Sequence, residues 1–410
     1  MLQQEPQCPA MGRAPKSPGS GRVARMAASP VRTLLALTDG RPDVISLAGG
    51  LPASDVLDLP GISAAFEKAF TLGGRAQLQY SPTEGNASLR RELARRMRNQ
   101  GITVTPDEVL VTSGAQQALF LAAAVLLDET DTVLVEEPTY LAALQCFQLF
   151  GARVVGVRSD AGGIDVEALE KAAARERPTV LYLVPTFANP TGRTISAQRR
   201  AAVVDIANQY GIWIVEDDPY SELRFRADPV APIAASAAGG SNVIYCGSLS
   251  KVCAPGLRLG WLHGPDEFLD AAAAAKQAVD LHSSTIDQAA AAYYLAGVDM
   301  TPLLDSARHI YRERKDALLG ELERLHLPSS AEWTDPDGGM FVWLRLGGDI
   351  DTGELLSEAI GAGVAFVPGA PFYAGSPDRS TMRLSFASQP PPMIRTGVQR
   401  LGAVLRSAGV

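Results

Sequence analysis

The stretch Ser248-Leu249-Ser250-Lys251, followed by Pro255-Gly256-Leu257-Arg258-Leu259-Gly260-Trp261, concentrates the chemistry of this chain. It follows an apolar run, Val243-Ile244-Tyr245-Cys246, that reads as a buried strand. A lysine at the exit of such a strand, among serines, prolines and apolar residues, is poorly placed to be a solvated charge. Burial disfavours the ammonium and lowers the lysine pKa. A neutral amine attacks carbonyls to form a Schiff base, the step with which pyridoxal phosphate (PLP) chemistry begins. Ser248, Ser250 and Arg258 supply donors for a phosphate, the arginine as a fork of fixed geometry. Taken alone, the segment also reads as an ordinary lysine in a polar turn.

Other stretches carry chemistry that matches. Val109-Leu110-Val111-Thr112 reads as a strand, and Ser113-Gly114-Ala115-Gln116-Gln117 then opens an apolar helix. Strand, small residues and helix N-terminus together suit a phosphate, because free backbone N–H groups and the helix dipole face the anion. Ile214-Val215 leads into Glu216-Asp217-Asp218-Pro219-Tyr220. Three adjacent acids repel one another, so at least one is expected to have a cationic partner. A carboxylate beside a pyridine nitrogen would favour its protonated form. Asn189-Pro190-Thr191-Gly192 is a turn by composition. Gly49-Gly50 lets the backbone approach a ligand closely. Tyr140 and Arg383 sit beside apolar strands, where the plain alternatives are a core aromatic and a surface ion pair.

In these residues the chain resembles the class I/II aminotransferases, PLP enzymes of fold type I. The resemblance rests on Ser-Leu-Ser-Lys with Pro-Gly-Leu-Arg-Leu-Gly-Trp, on Asn189-Pro190-Thr191-Gly192 and on Asp217 with Tyr220, and it covers residues 29 to 408. It implies that Lys251 carries PLP and shuttles the substrate's α-proton, that Asp217 pairs with the ring nitrogen, and that Asn189 and Tyr220 reach the phenolic oxygen. It further implies that Tyr140 stacks on the pyridine, that Gly114, Ala115, Gln116, Ser248, Ser250 and Arg258 cradle the phosphate, and that Arg383 clamps the α-carboxylate. Gly50 would pass over the substrate. Tyr80 would reach the phosphate of a neighbouring subunit, which implies a homodimer with shared active sites. Ala48-Gly49-Gly50-Leu51-Pro52, Gln79 to Gly85, Lys276-Gln277 with Asp280-Leu281-His282, and Gly338 to Trp343 are most similar to the 2-aminoadipate (LysN-type) and kynurenine aminotransferases. Arg32 falls where the former carry an arginine that meets a side-chain carboxylate. Ala188, where relatives often carry glutamine, and Asn86, where they often carry an aromatic, depart from the family pattern, and Ala115 stands where the family has a small or hydroxyl residue. Ala115 lacks a hydroxyl, so only its backbone N–H can serve the cradle.

The elements that must position these groups alternate along the chain. Strands are predicted at 132–136, 153–157, 178–185, 211–216, 243–247 and 257–262, with helices at 139–150, 165–175 and 197–210. This predicts an α/β protein with a mostly parallel sheet between helices and functional residues at the strand C-termini. By the resemblance the sheet has seven strands, as in fold type I. Continuous helical stretches are expected at 266–296 and 303–325, then strands near 340–344, 363–367 and 381–386, a helix near 352–361 and a closing helix, which together read as a smaller α+β domain. The expected organisation is a disordered arm over 1–28, a 29–60 segment joining the small domain, a large PLP-binding domain over 61–295 and a small domain over 296–410. Ser29-Pro30 reads as a helix start.

A net charge of −8 argues against nucleic acid as a partner. No apolar run reaches the ~18–20 residues of a membrane span, and the N-terminus lacks a secretory signal's apolar core. The cysteines Cys8, Cys146, Cys246 and Cys253 have neither metal nor disulfide spacing, so a reducing cytoplasm and no metal are expected. The expected activity is transfer of an amino group from an L-amino acid to a 2-oxo acid, 2-oxoglutarate foremost, by a ping-pong mechanism. A non-transaminating PLP enzyme such as a lyase is the alternative, since fold does not fix function. A ligand-sensing regulator is a weaker one, because only about 28 polar residues precede the fold, below the ~50 of a small domain.

Overall fold

The computed structural model describes residues 21–24, 40–236 and 242–410. Ser29, Pro30 and Arg32 lie outside the described residues. Within the expected arm, Gly21–Ala24 form one helical turn.

The main sheet is built from β2 (Leu110–Thr112), β3 (Thr132–Glu137), β4 (Arg153–Asp160), β6 (Val180–Leu183), β7 (Trp213–Asp218), β8 (Val243–Ser248) and β9 (Gly260–His263), in the order β2-β9-β8-β7-β6-β3-β4. Its central pairings, from β4 through β3, β6 and β7 to β8, are parallel, and only β9 runs against both of its neighbours. A short β5 (Gly163–Ile164) folds back on β4. The helices Leu141–Leu149, Val166–Glu176 and Ala197–Tyr210 return the chain between parallel strands. The last has its start and stop written locally. The Ser196 side chain accepts from the Arg199 amide, and Gly211, at φ 67°, provides the left-handed residue that ends it. Asn86, where the family pattern has an aromatic, caps the Ala87–Asn99 helix by accepting from the Ser88 and Leu89 amides.

Strands β6, β7 and β8 are buried along nearly their whole length, as expected of parallel strands covered on both faces. One core cluster packs Leu119, Phe147, Tyr182 and Ile244 against one face of the sheet and continues into the C-terminal part through Leu318, Leu344 and Leu401. Another covers the opposite face with Leu181, Val203, Ile206 and Leu169. The C-terminal part has a second sheet, ordered β10 (Glu332–Trp333), β11 (Phe341–Arg345), β14 (Thr381–Ser385) and β13 (Val367–Pro368). Near the chain's beginning, β1 (Ile45–Ser46) pairs in parallel with β12 (Val364–Ala365), so the 40s segment adds to this C-terminal part.

Several expected elements take a different form. The stretch 266–296 is two helices, Asp266–Val279 and Thr285–Gly297, broken where Leu281 adopts φ 65° and Ser284 caps the second helix. The expected strand 257–262 starts only at Gly260: Pro255–Leu257 is a short 3-10 turn and Arg258 is left-handed at φ 50°. The expected strand 363–367 divides into β12 and β13, because its halves pair with different partners.

Candidate active site

The C-terminal ends of β3, β6, β7 and β8 open on a cavity of about 500 Å³. Lys251 lies three residues beyond the end of β8. The turn that holds it is tied at both ends: the Leu249 amide donates to the Leu259 carbonyl, and the Ser250 amide donates to Ser248 Oγ at 3.1 Å. Lys251 Nζ donates to the Gly50 carbonyl at 2.7 Å. Burial pulls the amine's pKa down to about 8, the positive charges of Arg383 and Arg258 pull the same way, and Asp217 opposes them. Far more of this amine than of a solvated lysine is therefore neutral and nucleophilic near physiological pH.

Strand alternation divides the three adjacent acids. Glu216 and Asp218 point away from the cavity and are satisfied there. Glu216 accepts from the Ile233 and Ala234 amides, each at 2.8 Å, with Arg200 Nη1 at 3.9 Å as the cationic partner. Asp218 accepts from the Ser221 amide at 3.2 Å and the Tyr245 hydroxyl at 3.0 Å. Asp217 lies between them, faces the cavity, and accepts from the Tyr182 hydroxyl at 2.8 Å. Its Oδ1 is buried without a partner among the described residues. Burial pushes the Asp217 carboxyl up to about 7, so a cationic group beside Oδ1 would be strongly favoured.

One side of the cavity is a cradle of backbone of the kind that suits an anion. Gly114 ends the turn after β2 at φ 87°, and the Ala115–Leu126 helix begins at the next residue, with Ala115 and Gln116 lining the cavity. A Cβ on Gly260 would lie 2.7 Å from the Gly114 carbonyl carbon and 2.8 Å from the Ala115 nitrogen. A Cβ on Gly114 would lie 2.8 Å from Arg258 Nη2. Only glycine fits either place. Ser248, Ser250 and Arg258 complete the lining.

Opposite the cradle, Arg383 emerges from the middle of β14, which is hydrogen-bonded on both sides. Nη1 donates to Asn189 Oδ1 at 2.8 Å and Nη2 to the Ala48 carbonyl at 2.7 Å, while Nε is buried with no partner. The guanidinium stacks on Phe341 at 4.2 Å and is held down to about 10 by burial. Among the described residues it has no carboxylate partner. The Asn189 side chain also bonds the Tyr220 hydroxyl, whose pKa burial raises further. Tyr140 lines the cavity, and burial pushes its hydroxyl up to about 12.

Of the residues singled out in the sequence, Gly50, Ala115, Gln116, Tyr140, Asn189, Asp217, Tyr220, Ser248, Ser250, Lys251, Arg258 and Arg383 all line this one cavity, and Gly114 backs it. Tyr80 does not line it. The Tyr80 side chain is 77% exposed, with its ring edge-on to His282. Sequence reasoning missed Tyr182, Phe341 and Phe372. Tyr182 looks like any apolar strand residue, whereas Phe341 lies in the stretch Gly338 to Trp343, which by type alone reads as core.

The residues present fit pyridoxal phosphate on structural grounds: an amine whose pKa burial lowers, an orphaned buried carboxylate oxygen for the ring nitrogen, and a cradle that any Cβ would fill. The comparisons agree. The family model for aminotransferase class I and II matches residues 42–401. The chain is 40% identical to a 2-aminoadipate transaminase of Thermus thermophilus, covering 95% of this chain and 96% of the relative. It is 39% identical to an aromatic-amino-acid aminotransferase of Thermococcus litoralis, covering 94% of each. The crystal structure of a Thermus thermophilus α-aminoadipate aminotransferase, LysN, complexed with N-(5'-phosphopyridoxyl)-L-leucine, superposes with a TM-score of 0.89 at 38% identity, over 96% of this chain and 98% of that one. Fold, cavity chemistry and full-length likeness converge, and the chain belongs to the class I and II aminotransferases, as a PLP-dependent enzyme of fold type I.

Proposed function

We propose that this aminotransferase takes amino groups from L-amino acids with uncharged, apolar or aromatic side chains and passes them to a dicarboxylic 2-oxo acid such as 2-oxoglutarate, in two half-reactions at one site. The carrying observation is Arg383, a buried guanidinium without a carboxylate partner among the described residues, in the same cavity as Lys251 and the orphaned oxygen of Asp217. Bound PLP supplies a carbonyl that captures amines and a ring that takes up the electrons released at the α-carbon.

The chain's own residues do the rest. Asp217 would hold the ring nitrogen charged, and Asn189 and Tyr220 would hold the phenolic oxygen. Tyr140 would pack on the ring. The cradle of Gly114, Ala115, Gln116, Ser248, Ser250 and Arg258 would hold the phosphate. Arg383 takes the α-carboxylate that every substrate shares. Lys251 Nζ would take the proton from the substrate α-carbon as general base and hand it on as general acid. Beyond Arg383 the described walls toward the Leu141–Leu149 helix are Leu51, Leu141, Ala142 and Gln145, which suits neutral side chains. The relative named for aromatic amino acids supports such donors, the one named for 2-aminoadipate supports a dicarboxylic partner, and Arg32 is the proposed contact for its distal carboxylate.

We also propose that the enzyme works as a homodimer in the cytoplasm. Leu72, Leu78, Tyr80, Val279 and Leu281 are large exposed apolar residues, and Thr285 Oγ1, which donates to the Gln79 carbonyl at 3.0 Å, links the segments that carry several of them. Tyr80 would then complete the partner's cradle. No helix of the described residues is long and apolar enough to cross a membrane.

The test is a panel of amino donors and 2-oxo acids, scored by the cofactor's spectral change in single half-reactions. The reading expects leucine-like and aromatic donors to outpace lysine, and Arg32→Ala to raise KM for 2-oxoglutarate far more than for a neutral 2-oxo acid. A preference for basic donors, or no spectral change with any donor, contradicts it.

A further inference from the structure

Behind the cradle, away from the cavity, lies a buried polar cluster that the mechanism above does not use. Lys276, near the end of the Asp266–Val279 helix, is fully buried. An i,i+4 partner on a helix surface needs no such burial, and removing an ammonium from water is costly unless its protons are all placed. Here they are. Nζ donates to Asp280 Oδ1 at 2.6 Å, to Ser283 Oγ at 3.1 Å and to Gln117 Oε1 at 3.3 Å. The other ends of these groups grip the cradle turn. Gln117 Oε1 also accepts from the Ser113 amide at 2.6 Å, and its Nε2 donates to Asp280 Oδ2 at 2.7 Å. Ser113 Oγ donates to Asp280 Oδ2 at 3.0 Å and lies 3.1 Å from Ser283 Oγ. Ser113 directly precedes Gly114, and Gln117 directly follows Gln116.

We propose that Lys276, with Asp280, Gln117 and Ser283, is the positioning group of the phosphate cradle: it fixes the Ser113–Gly114 turn so that the amides at the start of the Ala115–Leu126 helix converge on one anion. The cluster also accounts for the break in the helical stretch 266–296, since Asp280 leaves the helix to bond with Ser113 and Gln117. Electrostatics require the pair as a unit. Asp280 alone would set a negative charge behind a phosphate, and Lys276 cancels it where water does not.

The proposal rests on the reading that this turn binds the phosphate of PLP, and the test separates the two. Apoprotein is titrated with PLP and with pyridoxal, which lacks the phosphate, and the ratio of dissociation constants is compared between the parent and Lys276→Met. In the parent, PLP should bind far more tightly than pyridoxal; a ratio near one would sink the cradle reading itself. In Lys276→Met the ratio should collapse by about tenfold or more, with pyridoxal binding unchanged, the scale of losing charge-assisted hydrogen bonds. Ser283→Ala, which leaves both charges in place, should reduce the ratio by about threefold. A parental ratio in Lys276→Met would overturn the proposal. If that variant cannot be isolated folded, a parental ratio in Ser283→Ala would overturn it.

Discussion

At the residue scale, the site depends on which neighbour satisfies each ionisable group. Asp217 is distinguished from Glu216 and Asp218 by having one oxygen bonded and one left bare, and that distinction follows from strand alternation. The sequence shows three acids in a row; alternation makes Asp217 the odd one out, and the resemblance assigns it the ring nitrogen. Tyr182 was not legible, because its role depends on register. It stands opposite Val215 in the β6–β7 pairing, diagonal to Asp217. Asp217→Asn is expected to lower kcat by more than about tenfold, roughly 1.4 kcal/mol of transition-state stabilisation, with the fold intact by circular dichroism. Tyr182→Phe leaves Asp217 Oδ2 unpaired and should lower kcat by a smaller factor, about threefold to tenfold. The raised carboxyl also has a stability consequence. The folded Asp217 holds its proton up to about 7, while the unfolded group releases it near 3.8. Its contribution is therefore favourable at low pH and is lost as the pH rises through that interval. Apoprotein unfolding by urea should show the parent losing stability relative to Asp217→Asn between those two pH values, and a pH-independent difference would contradict the assignment. For Lys251 the sign runs the other way. Its lowered pKa predicts that condensation of apoprotein with PLP accelerates through pH about 8 rather than near 10.5.

At the element scale, the alternating strands and helices were legible because a parallel sheet writes its buried strands as short apolar runs between amphipathic helices. The Ala197–Tyr210 helix carries its boundaries in Ser196 and Gly211, and its predicted limits match the observed ones. What failed was local geometry imposed from a distance. Arg258 is left-handed with its guanidinium packed against Gly114, and no residue pattern near position 258 announces that. The 266–296 stretch breaks because side chains on the Ser113 turn draw Asp280 out of the helix. The contact between β9 and the cradle yields a sharp prediction. Gly260→Ala inserts a carbon against the backbone of Gly114 and Ala115, and overpacking of that kind costs about 1–3 kcal/mol. The strain falls on the cradle, so affinity for PLP should drop about tenfold or more. Fluorescence titration of apoprotein would check it.

At the scale of the whole molecule, the cavity is a seam. Lys251 and Asp217 come from the large sheet, Arg383 from the C-terminal sheet, and Gly50 from the segment beyond β1, and hydrogen bonds from Lys251 to Gly50 and from Arg383 to Asn189 cross it. That convergence was legible in the sequence only through family resemblance, since nothing in composition or periodicity brings position 383 to position 189. Because Arg383 is proposed to hold what all substrates share, Arg383→Ala should lower kcat/KM by a similar factor, about a hundredfold, for aromatic and aliphatic donors alike. A loss confined to one side-chain class would assign Arg383 to side-chain selection instead. The most direct test of the account concerns the amine on which the site converges. Holoprotein reduced with borohydride and digested should carry a phosphopyridoxyl group on the peptide containing Lys251 and on no other, and Lys251→Ala should lose both that label and turnover. The label on a different lysine, or a Lys251→Ala protein that still transaminates at a near-parental rate, would contradict it.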